Sequence, residues 1–226
     1  MFSVIIPTLN EEEVIRSCID KIREIDQNVE IIVADGGSSD NTVEIAMAQN
    51  VKICLSEKGR GHQCNAGADI ASGEILVFLH ADTELPATAF DLLNEYFQDS
   101  KIQVGTFRLR FDYNHWMLRL CSIHSRFEHT LTRFGDQCIV VRRSFFDGIG
   151  GFPRSPLFED LGFIQKAGEK ARIHRFRGTV QTSARRFLRN GIIRQQLLNS
   201  WCIFLYFLGI NPEKLALLYE RHNRAK

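Results

Sequence analysis

Short apolar runs at residues 2–6, 30–34, 51–55 and 75–79 alternate with longer stretches in which apolar positions recur every three or four residues. The runs are too short for helices and are closed by polar or turn-forming residues, so they predict buried strands. In the first intervening stretch Val14, Ile15, Cys18, Ile19, Ile22 and Ile25 fall on one helical face, and Asn10 with Glu13 three residues on predicts a capping box at its start. A glycine turn with several capping residues at 35–42 leads into a second helix through Ala48. Gly59-Arg60-Gly61 opens a third, whose small residues Asn65, Ala66, Gly67, Ala68 and Ala71 suit close packing on a sheet. Residues 1–80 thus predict β-α-β-α-β-α-β, an α/β fold with a doubly wound parallel half-sheet.

The rest of the chain predicts a mixed continuation. A helix after Pro86 carries Phe90, Leu93, Tyr96 and Phe97, and strands are expected at 104–111 and 137–141. A short helix at 145–152 is broken by Gly150-Gly151, another helix runs from 157 to about 170, and 173–182 is extended. Residues 114–133 predict a helix of mixed character, with Trp116, Leu118, Leu120, Ile123, Phe127 and Leu131 among His115, His124, His129, Arg119, Arg126 and Arg133. It could line a substrate pocket, or be an amphipathic cover with a basic face.

Composition narrows the class only a little. The 44% apolar content is ample for a core, and 28 basic against 27 acidic residues leave a net charge of +1, which gives no global attraction to nucleic acid. Cys18, Cys54, Cys64, Cys121, Cys138 and Cys202 form no Cys-x-x-Cys pair and sit mostly among apolar neighbours, as expected of reduced thiols in a cytoplasmic protein. The chain enters its first strand without a basic leader, and the apolar run at 201–210 is too short to span a bilayer.

Candidate chemistry lies where the strands end. No G-x-G-x-x-G follows the first strand, there is no Walker loop, and Gly59-x-Gly61 has Cys64 in place of a last glycine. What remains is a polar set at four carboxyl ends: Thr8, Asn10 and Glu11; Asp35; Gly59 to Gly61; and His80 with Asp82. In open α/β sheets that edge is where ligands bind.

In order along the chain, Pro7-Thr8-Leu9-Asn10-Glu11, residues 33–42 (Val-Ala-Asp-Gly-Gly-Ser-Ser-Asp-Asn-Thr), Gly59-Arg60-Gly61 with Asn65-Ala66-Gly67, and Phe158-Glu159-Asp160 resemble the successive motifs of family 2 glycosyltransferases of the GT-A fold. Leu79-His80-Ala81-Asp82-Thr83 and Glu159-Asp160-Leu161-Gly162-Phe163 are similar to a bacterial subgroup associated with radical SAM proteins and arsenosugar biosynthesis. The resemblance implies a GT-A domain at 1–183, with a nucleotide-binding half at 1–85 and an acceptor half at 86–183, and leaves 184–226 as a helical extension. It implies inverting transfer from a nucleoside-diphosphate sugar to a small-molecule or lipid-linked acceptor, with Pro7, Thr8, Asn10, Glu11, Asp35, Gly36, Arg60, Gly61, Asn65, His80 and Ala81 around the donor. Asp35 and Glu11 can accept from base or ribose, and Arg60 can fork onto diphosphate oxygens; capping and surface exposure are the plainer readings of these residues.

Asp82 is the expected contact of a divalent metal, Mn²⁺ or Mg²⁺, which commonly bridges one or two carboxylates to substrate phosphates. His80 stands where that motif usually has its first acid; it can ligate Mn²⁺, touch the donor, or serve structure alone. Asp160, with Glu159 before it, is the candidate base for the acceptor hydroxyl, and an acidic helix start is the alternative. Nucleotidyl transfer and nucleotide-sugar binding without turnover stay open as other functions. Arg172, Arg175, Arg177, Arg185, Arg186, Arg189 and Arg194 precede the apolar 197–208 stretch, which suits a peripheral contact with the inner face of an anionic membrane. A homodimer interface, or packing on the main domain, accounts for the same residues.

Overall fold

The computed structural model describes residues 1–124 and 135–224. Four strands, β1 (Phe2–Thr8), β2 (Glu30–Asp35), β3 (Lys52–Leu55) and β4 (Ile75–Phe78), alternate with helices α1 (Ile15–Ile25), α2 (Thr42–Ala48) and α3 (Arg60–Ile70). They pair in parallel, as the continuous apolar runs predict. After the two-residue strand β5 (Thr83–Glu84) come α4 (Ala89–Phe97), β6 (Val104–Phe111), α5 (Trp116–His124), a 3₁₀ turn at Gly135–Gln137, β7 (Ile139–Arg142), α6 (Arg143–Gly148), α7 (Glu159–Lys170) and β8 (Ile173–Thr182). Three helices follow, α8 (Arg185–Asn190), α9 (Ile192–Phe207) and α10 (Pro212–Arg224).

All eight strands form one mixed sheet in the order β3-β2-β1-β4-β7-β6-β8-β5. β7 runs antiparallel to both β4 and β6, while β8 returns parallel to β6. Because side chains alternate across a strand, β1 feeds two cores. Val4 and Ile6 pack with Ile15, Ile19, Phe90 and Leu93, whereas Ile5 packs with Cys64, Ala68, Phe78 and Phe163. The small residues of α3 allow the second core to close: a Cβ on Gly67 would collide with the Ile5 side chain. Two adjacent arginines fasten helix ends, where carbonyls are left without helical partners. Arg142 donates to the carbonyls of Phe97, the last residue of α4, and Ile102, and Arg143 to those of Ala68 in the last turn of α3, Ala71 and Gly73.

The start of α1 corrects one expectation. Asn10 does not cap the helix, which begins at Ile15; it sits at φ 55°, a left-handed conformation that Asn tolerates, and bonds across to Ser38 and Ser39 instead. The short helix expected at 145–152 occupies 143–148 and ends before the positive-φ pair Gly150 and Gly151. The predicted helix at 114–133 is seen as α5; its remainder, with Phe127, His129, Leu131, Arg126 and Arg133, falls outside the described residues. The cysteines are all free thiols. Among the described residues no helix is long and apolar enough to cross a membrane.

Candidate active site

The loops after β1 and β2 are tied to each other. Asp35 is 1% exposed, and its oxygens accept from the amides of Gly37 and Ser38, both at 2.8 Å, and from the Ser38 hydroxyl at 2.5 Å. Asn10 holds the same loop from above, its Oδ1 accepting from the Ser39 amide at 2.8 Å. Beneath them Gln63 of α3 donates to the carbonyls of Thr8 (2.5 Å) and Ala34 (3.0 Å), and the absence of a side chain at Gly36 leaves room for it.

On this floor lies a polar cleft of about 400 Å³ lined by Pro7, Thr8, Glu11, Arg60, His80, Ala81, Asp82 and Glu159, with Lys58, Arg186, Arg189 and Tyr219 completing its walls. Arg60, the first residue of α3, stands 4.0 Å from Glu159, the first of α7. His80 Nδ1 is 3.0 Å from Asp136 Oδ1, brought in by the 3₁₀ turn before β7. Arg185 bridges two carboxylates, bonding Glu11 through one nitrogen and lying 3.3 Å from Asp82 through Nε.

The charges around Arg60 interlock. Burial disfavours its charged form, but Glu159, Asp136, Asp160 and Asp82 together raise its pKa. Burial and the neighbouring Asp160 push the Glu159 carboxyl above its ordinary value, against the opposing effect of Arg60. Burial works the same way on Asp136, yet its hydrogen bond to His80 and the positive charges of His80, Arg60 and Arg186 outweigh it and lower its pKa.

Arg60, Leu157, Glu159, Arg186 and Tyr219 also border a second, larger space of about 720 Å³. Asp160 lies on its wall, its Oδ1 accepting from the Leu161 amide at 2.8 Å. The other walls are mainly apolar: Leu109 and Phe111 from β6, Met117 and Leu120 from α5, Ile203 and Phe204 from α9.

The structure therefore gathers eight of the expected donor and acid residues into the polar cleft and puts Asp160 next door. Five others line neither space. Asp35, Asn10 and Gly36 build the loop below and beside the cleft. Asn65 exchanges hydrogen bonds with the main chain of Phe152, both at 2.9 Å, and a side chain at Gly61 would strike the Pro153 carbonyl, so both serve packing between α3 and the 152–153 segment. Gln63, Asp136, Arg185, Arg186 and Arg189 were not expected at the site. The arginines were visible in sequence only as part of a basic run, and Asp136 carried no motif at all.

Among the described residues no three His, Cys, Asp or Glu side chains converge as a metal cage. Asp82 faces Arg185 and His80 faces Asp136, so the side chains fit a cation held by one carboxylate together with substrate phosphates, not one enclosed by protein alone.

The profile described as Glycosyl transferase family 2 matches residues 3–156. A PGL/p-HBAD biosynthesis glycosyltransferase of Mycobacterium bovis is 41% identical over 93 residues, 38% of this chain and 36% of that protein, so the match spans little more than a third of that relative's length. Among solved structures, TarS 1-349 of S. aureus superposes with a TM-score of 0.65 at 21% identity, over 81% of this chain and 60% of that one. Glucosyl-3-phosphoglycerate synthase from Mycobacterium tuberculosis, solved with Mn²⁺, uridine diphosphate and glucosyl-3-phosphoglycerate, gives 0.60 at 20%, over 81% and 70%. These likenesses establish the GT-A fold.

Proposed function

The chain belongs to glycosyl transferase family 2, and on that premise we propose that it transfers a sugar from a nucleoside-diphosphate sugar to an acceptor hydroxyl, with inversion at the anomeric carbon. The observation that carries the reading is the meeting of Arg60 with the Glu159-Asp160 pair on the boundary of two cavities, one polar and one mainly apolar. The donor's diphosphate lies in the polar cleft, where Arg60, Arg186 and Arg189 meet its charge and Arg60 can bind two oxygens at once. Glu11 and Thr8 face the nucleoside end. Asp35, at the end of β2, accepts from the base or the ribose in addition to tying its own loop together.

Asp160 takes the acceptor's hydroxyl proton as the oxygen bonds to the anomeric carbon. On the opposite face the bond to the diphosphate oxygen breaks, and its electron pair leaves with the nucleoside diphosphate. The cationic wall stabilises that developing charge where water is partly excluded. Asp82, with His80 nearby, would hold Mn²⁺ or Mg²⁺ on the phosphates; when bound, the cation supplies further neutralisation of the leaving group. Glu159, buried beside Asp160, faces Arg60 across the shared wall, and burial and Asp160 raise its pKa.

The subgroup likeness at 79–83 and 159–163 is part of this proposal, as are the division at residues 85 and 183 and a cytoplasmic setting. For a lipid-linked acceptor, exposed Leu197, Trp201, Phe204 and Leu208 near Arg189 and Arg194 support a peripheral membrane contact; a homodimer through that face is its competitor. Sedimentation with anionic liposomes separates them, because a dimer without lipid binding removes the membrane contact.

The activity itself is tested by incubating the protein with UDP-glucose, UDP-N-acetylglucosamine and GDP-mannose in the presence of Mn²⁺. Slow release of nucleoside diphosphate is expected. Pyrophosphate release would move the assignment to nucleotidyl transfer, and binding without turnover would leave a nucleotide-sugar-binding protein.

A further inference from the structure

The 720 Å³ chamber is larger than the donor cleft and different in kind. Donor chemistry does not use it: a nucleotide sugar needs phosphate and hydroxyl partners, and most of this lining is hydrocarbon. Its size is that of a pocket for one drug-sized molecule. We propose that it is the acceptor site and that the acceptor is an alcohol whose hydroxyl sits on an apolar body, the hydroxyl at Asp160 and the body between α5 and α9. This rests on the glycosyl-transfer reading above and specifies its second substrate.

Three observations carry it. The chamber and the cleft share Arg60, Leu157, Glu159, Arg186 and Tyr219, so a molecule filling the first reaches the reacting end of one in the second. Within the chamber the carboxylates other than Asp136 are Glu159 and Asp160, both at that shared end, which fixes where a hydroxyl must point. The opposite wall is built from Met117, Leu120, Ile203, Phe204 and Phe207, with Leu120, Phe204 and Phe207 partly open to solvent. Apolar area left uncovered in this way is removed from water when a hydrocarbon enters, a gain worth about four-fold in affinity for each methylene buried. Gln196, Asn199 and Ser200 add polar groups on the α9 side, but a free sugar or polar metabolite would leave this apolar area unburied.

Bond changes are those of the proposed transfer: the alcohol oxygen bonds to the anomeric carbon, its proton passes to Asp160, and the sugar–phosphate bond breaks towards the nucleoside diphosphate. The full-length protein is given the nucleotide sugar that it hydrolyses fastest, together with glycerol or an n-alkan-1-ol from butanol to decanol, each at one low concentration. Alkyl glycoside and nucleoside diphosphate are measured in the same samples. Alkyl glycoside formation should rise about four-fold per added methylene and level off when the chamber is full. Ile203→Asn on α9 and Leu120→Asn on the exposed side of α5 should each flatten the series at least about five-fold between butanol and decanol, while Ile203→Val retains it. Donor hydrolysis with equal transfer along the series, or transfer to glycerol in preference to every alkanol, overturns the apolar acceptor and leaves glycosyl transfer standing. Absence of any nucleotide-sugar consumption overturns the activity, and the acceptor assignment falls with it.

Discussion

The polar cleft and the apolar chamber meet at Arg60 and Glu159, yet they are made by different means. The cleft's floor is a product of backbone: the ends of β1 and β4 and the amino terminus of α3 deliver its first residues, loops locked by Asp35, Asn10 and Gln63 hold them, and α7, α8 and α10 complete the walls. The chamber is made largely by side chains of β6, α5 and α9, outside the central parallel strands, so its character follows from which residues those elements carry. On the proposed assignment, the fold can keep its donor cleft while the acceptor changes through α5 and α9. A base substitution should stop transfer and spare donor binding, and a cleft substitution should weaken donor binding itself.

The largest effect expected is that of Asp160→Asn. Loss of the base should lower glycosyl transfer about 1,000-fold while the Kd for UDP stays within about two-fold; a variant retaining full transfer would show that the base lies elsewhere. Arg60→Ala comes next. Removal of a charge-assisted contact of about 1.5–3 kcal/mol should weaken nucleoside diphosphate binding about 10- to 100-fold in calorimetry, and unchanged binding would detach Arg60 from the phosphates. Arg185→Ala should act in the opposite direction on metal. With its competitor for Asp82 gone, the Mn²⁺ concentration that half-saturates nucleotide binding should fall, by a factor of about 2–5 if the half-exposed bridge contributes no more than about 1 kcal/mol. A rise would mean that Arg185 itself grips the diphosphate.

The smallest effect concerns pH. The folded-state pKa of Glu159 is raised above 4.5, so the native form holds a proton that the unfolded chain releases. Its contribution to stability is complete below about 4.5 and is lost as pH rises through the raised value. Urea unfolding of Glu159→Gln should show a smaller fall in stability between pH 4.5 and 7.5 than the parent chain. Parallel curves would remove Glu159 from the electrostatics of the shared wall. Glu30 supplies the opposite control, because hydrogen bonds from Lys52, Ser3 and Ser72 overcome burial and hold its pKa at about 2, so its contribution is lost only as pH falls from 4.5 through that value.

What the sequence made legible follows the same division. β1, β2 and β4 are buried on both faces, so they appear as short, mostly apolar runs, and their carboxyl ends could be found by inspection. The family motifs were legible because each occupies a few consecutive positions at a strand end or helix start. Asn10 was misread because its partners, Ser38 and Ser39, lie 28 and 29 residues away, and a local capping pattern cannot report a bond between loops. Arg185 shows the same limit: Glu11, its partner, is 174 residues distant, so a cleft residue looked like one more charge in a basic run. The chamber had no sequence signature, because Leu109, Leu120 and Ile203 converge only through packing of β6, α5 and α9.

The seam between α3 and the segment before α7 bears on how such enzymes can be recombined. Asn65 is bonded on both sides to Phe152, and the bare backbone of Gly61 receives the Pro153 carbonyl, so the helix that begins at Arg60 and the chain that arrives at Glu159 are cast as one piece. A chimera joined near residue 85 would take Arg60 from one parent and Glu159 from the other. It would inherit a mismatch unless residues 61, 65, 152 and 153 travelled together, and the natural unit of exchange is therefore not the half-domain but that four-residue joint.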